Sequence, residues 1–367
     1  MTQRERWLAT MHFGAPDHVP DYEFGYWDDT LRRWHNEGLP KEVNSNEKAD
    51  LYFGFESTVG VPVSLGLIPP FKDEVVEETE EYRVVRDGSG VLSVQRKDGH
   101  STIPKYLDFP IKTRDDWRRF KERLDPKTPG RIGQDLEQRK EAWKNRDRPL
   151  GVGIAAMFGW LRNWMGFEGV SMASVDDPAL IHEMVEHLAY LTVDVLTRAL
   201  DGIQIDFASG WEDICYRSGP IISPKMFREF TVPRYKRITD LLKKHGCDVV
   251  IVDCDGNIEQ LVALWLEGGV NAMFPLEIGA GTDPAALRKK YGRDVLLLGG
   301  VDKRALIAGK SAIDADVERV ARLAEQGGYI PHVDHRVPAD VSYENYLHYL
   351  RKKRQALGIP QKEPGES

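Results

Sequence analysis

The 367-residue chain has only three cysteines, Cys215, Cys247 and Cys254. The number is odd and no Cys-x-x-Cys pair occurs, so no disulfide framework is expected and a reducing compartment is. No run approaches the roughly 18 apolar residues that a membrane-spanning helix needs. The phosphate-binding loops GxGxxG and GxxxxGK[ST] are both missing, which removes the common nucleotide fingerprints. Basic stripes are missing as well. The formal net charge is -8, and only "RKKRQ" near the C-terminus concentrates positive charge. Nucleic acid is therefore not an expected partner. That run reads as a solvated helix end beside the negative pole of the macrodipole. The opening "MTQRERWLATMHFG" carries early charges and no apolar core, unlike a secretory signal, so the cytoplasm is expected.

What is present is rhythm. Hydrophobic residues make up 41% and charged residues 29%, enough for one large α/β barrel or two domains. Strand-like runs fall at 202–208, 248–253, 270–277, 294–301 and 327–335, with helical stretches between them. Ser223 with Pro224 opens one helix. Asn257 with Gln260 has the spacing of a capping box. Thr282 or Asp283 precedes Pro284, Asp302 caps a further helix, and the last helix starts near Ser342. Earlier strands at 19–26, 59–65 and 150–157 bring the count to eight. This favours a single (β/α)8 TIM-type barrel over 1–367. An insertion at about 70–145 is expected outside the barrel. It starts with a β-hairpin turning at Asp87-Gly88-Ser89-Gly90 and continues as a polar, helix-prone stretch. The tail, 358–367, is expected to fray.

In such barrels the chemistry gathers on the loops after the strands. "VVIVDCDGN", 249–257, is a buried strand that ends in Asp253, Cys254 and Asp255. Alternation puts the two carboxylates on one face and the thiol on the other. Glu277 follows the next strand, and His332, Asp334 and His335 follow the last. Crowded carboxylates repel one another unless neutralised. Asp255, Glu277 and His335, with Asp253 as a further ligand, would suit zinc. Cys254 is the alternative ligand to Asp255. Plainer roles exist for each: turn chemistry for Asp255, an ion pair to Arg304 or Arg336 for Glu277, a small buried hydrophobe for Cys254. Asp213 and Tyr216 are candidates to orient the substrate's polar end, and Asp213 or His332 to serve as acid or base. Tyr26, Trp27 and Trp160 would wall an apolar or sugar-like ligand. Arg217 and Arg336 would meet a carboxylate.

Several segments together resemble the uroporphyrinogen decarboxylase superfamily. They are "RERWLATMHFGAPDHVP", "WEDICYRSGPIISPKMFREFTVPRYKRI", "DCDGNIEQLV", "FPLEIGAGTDPAALRKKYG", "LLLGGVDKRAL" and "GGYIPHVDHRVPADVSYENY". The resemblance implies a (β/α)8 barrel. Decarboxylases of this group carry Arg-Gln-Ala-Gly-Arg after the first strand, where this chain has "DYEFGYWDDTLRRW". The resemblance therefore points to the corrinoid-dependent methyltransferase branch. That branch binds zinc through a His-x-Cys pair before Gly-Asn and through a later Cys. Asp253 and Asp255 stand at the first two positions here and His335 at the third. The implied activity is transfer of a methyl group from a small methylated or methoxylated compound to a corrinoid protein, with cobalamin held by that partner. A divergent decarboxylase or other lyase, or a barrel that only binds a ligand, is the alternative. A homodimer is the assembly that the superfamily suggests.

Overall fold

The computed structural model describes residues 1–97 and 104–365. Seven short parallel strands form one sheet in chain order: β1 (Val59–Gly60), β2 (Leu150–Gly153), β3 (Phe207–Trp211), β4 (Val250–Asp253), β5 (Ala272–Phe274), β6 (Leu296–Leu298) and β7 (Tyr329–Ile330). Sequential parallel order requires a crossover after each strand, and helices supply most of them. The expected strand at 19–26 forms no ladder. It contributes one parallel bridge, Tyr26 to Val337, and Glu56 N–H donates to Asp21 O at 3.0 Å. Among the described residues the sheet therefore has seven strands where eight were expected.

Alternation along each strand sorts its side chains between two cores. Val250, Val252 and Cys254 pack outward among the helices. Val249 and Ile251 face inward with Ala272, Phe274, Leu296, Leu298 and Ile330. Helix Gln3–Met11 closes the bottom of this inner core with Trp7 and Met11, both almost fully buried. Burying such a side chain contributes about 1.5–3 kcal/mol, so the plug is a substantial part of the inner core's stability.

The insertion opens as a four-stranded antiparallel sheet, Glu74–Glu78, Tyr82–Arg86, Leu92–Arg96 and Lys105–Asp108. Its central hairpin turns where Asp87 Oδ1 accepts the amides of Ser89 and Val91. Helices Arg114–Lys121 and Leu136–Trp143 follow. The expected end of the second hairpin run, 98–99, and the last two tail residues lie outside the described residues.

Two terminal expectations fail. Lys353 and Arg354 of "RKKRQ" are not solvated; both are buried on helix Tyr343–Ala356. Lys353 Nζ binds Glu23 at 2.6 Å and Asp21 at 2.9 Å, and Arg354 Nε binds Asp21 at 2.9 Å. The tail is docked rather than frayed: Gly365 N–H donates to Tyr52 O at 2.7 Å, and Lys362 Nζ to Gly54 O at 2.9 Å. Among the described residues no helix is long and apolar enough to cross a membrane.

Candidate active site

The loop after β3 is pinned by a buried carboxylate. Glu212 accepts the amides of Met157 (2.8 Å), Phe158 (3.0 Å) and Gly159 (2.6 Å), and the hydroxyl of Tyr235. It thereby caps helix Gly159–Asp176, whose first amides have no intrahelical partner. A Cβ on Gly159 would lie 2.0 Å from Glu212 O, so only glycine allows this approach. The next residue, Asp213, has φ +43°, a conformation that costs a non-glycine residue free energy and clusters at functional sites. Arg162, one turn into the helix, holds Asp213 Oδ2 at 3.0 Å and lies over the Trp211 ring at 5.2 Å.

After β4 the chain turns at Gly256 (φ +85°), whose amide donates to Glu277 Oε2 at 3.0 Å. Lys303, from the loop after β6, reaches the other oxygen of Glu277 at 2.9 Å. Asp334, after β7, accepts the amides of Lys303 (3.0 Å) and Ile278 (2.9 Å), tying both loops to one carboxylate. His335 Nε2 stands 3.3 Å from Asp255 Oδ2, and its ring stacks on Trp27. Asp255 Oδ1 is buried without a partner.

These loops surround a cavity of about 1110 Å³. Trp27, Trp160, Trp164, Trp211, Phe167 and Tyr216 form much of its wall, with Asp213, Asp255, Glu277 and His335 among its polar lining. The turn at Asp87, Gly88 and Ser89 closes one side, so the insertion helps shape the site.

The structure brings Asp213, Tyr216, Arg217, Trp27, Trp160, Asp255, Glu277 and His335 to the lining of this cavity. Tyr26 does not line it. Tyr26 is 1% exposed and bonds Tyr346 through its hydroxyl at 2.6 Å, because its side chain faces the aromatic core. His332 is buried against Phe274, with Nδ1 held by Val333 O at 2.8 Å. Arg336 lies over the Trp27 ring, and neither Arg336 nor Asp253 is among the residues lining the cavity. Sequence reasoning missed the roles of Arg162, Trp211 and Lys303. Arg162 sits in a helical stretch that reads as packing, and Lys303 follows a cap residue; neither carries a local signal of its role.

Electrostatics sort the candidates. Burial pushes Asp253 up to about 7, helped by the charges of Asp255 and Asp213. Asp213 is raised too, by burial first and Asp255 next, against the pull of Arg162. Asp334 rises to about 6 through burial. Burial opposes the charge on His335, yet Asp255 outweighs it and leaves the imidazole above its ordinary value. Burial drives His332 down to about 3, so it stays neutral.

The expected zinc ligands do not fit a resident metal in this arrangement. Asp255 and His335 form an ion pair, Lys303 occupies Glu277, and Asp253 sits apart from the cavity lining. Among the described residues no three His, Cys, Asp or Glu side chains are grouped to hold a metal ion.

Comparison with known proteins bears on the family and the fold. A uroporphyrinogen decarboxylase from Legionella pneumophila is 29% identical over 130 residues, covering 35% of this chain and 36% of that protein. The match thus spans about a third of that relative's length. The chloroplastic uroporphyrinogen decarboxylase of Nicotiana tabacum is 23% identical over 253 residues, 66% of this chain and 61% of that one. A solved structure described as a methyltransferase from Methanosarcina mazei covers 97% of this chain and 99% of its own, with TM-score 0.60 and 14% identity. At that identity the likeness speaks for the fold. The family model described as Uroporphyrinogen decarboxylase (URO-D) matches residues 91–354, and the chain belongs to that family.

Proposed function

We propose that this chain takes a methyl group from a small methylated or methoxylated aromatic compound and passes it to a corrinoid carried by a partner protein. The observation that carries this reading is an aromatic wall and a protonatable carboxyl in one cavity: Trp160, Trp211 and Tyr216 beside Asp213. Flat rings stack on such walls, and the volume suits a small molecule. Asp213 keeps its proton to higher pH than an ordinary aspartate and can donate it to a leaving oxygen. In that step the methyl carbon leaves the substrate oxygen for the acceptor, and the proton from Asp213 completes the released hydroxyl. Arg162 holds the carboxyl in place.

Charge argues against a substrate with many carboxylates. Arg162 and Lys303 are already engaged by Asp213 and Glu277, which leaves Arg217 of the cavity lining to meet a single carboxylate. Zinc at Asp255 and His335 would first have to displace their ion pair, so the proton route above rests on the chain's own groups.

The test supplies free cob(I)alamin as acceptor, under anaerobic conditions, with a panel of methoxyphenols and methoxybenzoates. Methylcobalamin formation is followed by absorbance. Wild type is expected to convert at least one compound, and Asp213→Asn to slow it by about 100-fold or more. Carbon dioxide release without methyl transfer would move the assignment to a lyase. Tight ligand binding with neither reaction would make the chain a binding protein.

A further inference from the structure

Two of the three thiols stand on neighbouring loops, one at the cavity wall and one just behind it, and nothing above uses them. Cys215 lies on the loop after β3 and lines the cavity. Cys254 lies at the end of β4, with its Sγ against the backbone amide of Ile214, the residue before Cys215. The two loops are held side by side on either flank of this pair. On one flank the amides of Glu212 and Asp213 donate to Asp253 O at 2.8 and 3.2 Å. On the other, Asn257 N–H donates to Tyr216 O at 2.9 Å. Between them Ile214 N–H points at Cys254 Sγ at 3.3 Å. Gly256 adds to the closeness, since a Cβ there would meet Cys215 O at 2.5 Å. Backbones held this close and in fixed register set the two residues where a bridge needs little backbone movement. Cys247 is different: it is fully buried near the start of β4, with Sγ directed to Val249 O at 3.4 Å.

We infer that Cys215 and Cys254 form a reversible disulfide across the two cavity loops when a hydroperoxide enters the cavity, while Cys247 remains a thiol. Cys215 reacts first because it faces the cavity. Its sulfur takes one oxygen from the hydroperoxide, giving a sulfenic acid and, from hydrogen peroxide, one water. Cys254 Sγ then attacks that sulfur. The S–O bond breaks, the S–S bond forms, and the hydroxide leaves as a second water with the proton of Cys254. Two thiols lose two electrons and the peroxide gains them. The bridge would clamp Asp213 and Asp255 in their present places, and a dithiol reductant would release it.

The experiment uses the full wild-type chain, reduced and then exposed to hydrogen peroxide. The protein is denatured, free thiols are blocked with iodoacetamide, and intact and peptide masses are recorded. Blocked thiols are expected to fall from the three of the sequence to one, Cys247, with one linked peptide pair joining Cys215 to Cys254. Dithiothreitol should restore all three. In Cys254→Ser, dimedone should trap the sulfenic acid on Cys215, which has lost its resolving partner. Three blocked thiols in the oxidised wild type would overturn the inference. So would a bridge to Cys247, or over-oxidation of Cys215 beside an unchanged Cys254.

Discussion

Replacing Lys353 by methionine tests how the first and last segments of the chain are joined. The ammonium lies 2.6 Å from Glu23 Oε1 and 2.9 Å from Asp21 Oδ1, with no exposed side-chain surface. At an effective dielectric of about 20, each contact is worth about 6 kcal/mol of gross Coulomb attraction. Desolvation of the buried charges offsets most of it, and loss of one partner from such a cluster nets about 3–5 kcal/mol. Among the described residues Glu23 would keep the Tyr349 hydroxyl at 2.7 Å and the Val333 amide at 3.3 Å. Urea unfolding followed by tryptophan fluorescence measures the change as a lower midpoint at unchanged slope. Arg118→Ala, which removes an exposed partner of Asp115, is the control and should cost at most about 1 kcal/mol. Glu23→Gln combined with Lys353→Met should recover part of the loss, because the uncompensated charge is gone. A loss below about 1 kcal/mol for Lys353→Met would refute the claim that this cluster holds the ends together. The pH dependence has a definite sign. Burial opposes the charge of Asp21, but Lys353 and Arg354 outweigh it and hold the carboxyl below its ordinary value. That contribution is complete above the ordinary carboxyl pKa and is lost as pH falls through the lowered one.

Three further outcomes are expected. Asp255→Asn should lower the His335 pKa in an NMR titration of the histidines, and an unchanged value would show that Asp255 does not hold the imidazolium; the raised wild-type value stabilises the fold below the ordinary imidazole pKa, and that gain is lost as pH rises through the folded value. Gly256→Ala should destabilise by about 1–3 kcal/mol in urea unfolding, since φ is +85° and the new Cβ would meet backbone at 2.5 Å; an unchanged midpoint would mean that the two loops are not in close register. Lys303→Ala should cost at most about 1 kcal/mol in urea unfolding, since the Lys303–Glu277 pair at 2.9 Å is only partly buried; a larger loss would mean that the pair, and not Asp334 alone, holds the two loops together.

The alternation of strands and helices was legible because buried parallel strands are apolar and bounded by cap residues. Ser223, Asp283, Asp302 and Ser342 do cap the helices that follow them. Strand ends were less legible. The run at 202–208 becomes a strand only from Phe207, because Asp206 is taken up by Arg4, Arg146 and the Leu150 amide. Asn257 does not make the expected capping box; its side chain accepts from Glu259 and the helix starts at Val262. The cavity's carboxylates could be found from strand-end position alone. Their partners could not. Arg162 and Lys303 reach Asp213 and Glu277 from distant parts of the chain, and no local spacing encodes such a pairing. Tyr26 and His332 failed for the same reason: residue type and position suggested a wall for Tyr26 and an acid or base for His332, while packing turned both into the interior.

Asp334 has a consequence for how the site meets a ligand. One buried carboxylate holds the amides of Ile278 and Lys303, and so couples the loops after β5 and β6 into one rigid piece. A ligand arriving at Glu277 finds both loops already ordered. It has little backbone freedom to freeze, so more of its interaction energy is kept as affinity. The same coupling predicts that the two amides exchange with solvent hydrogen at a common rate, through a shared opening that neither loop makes alone.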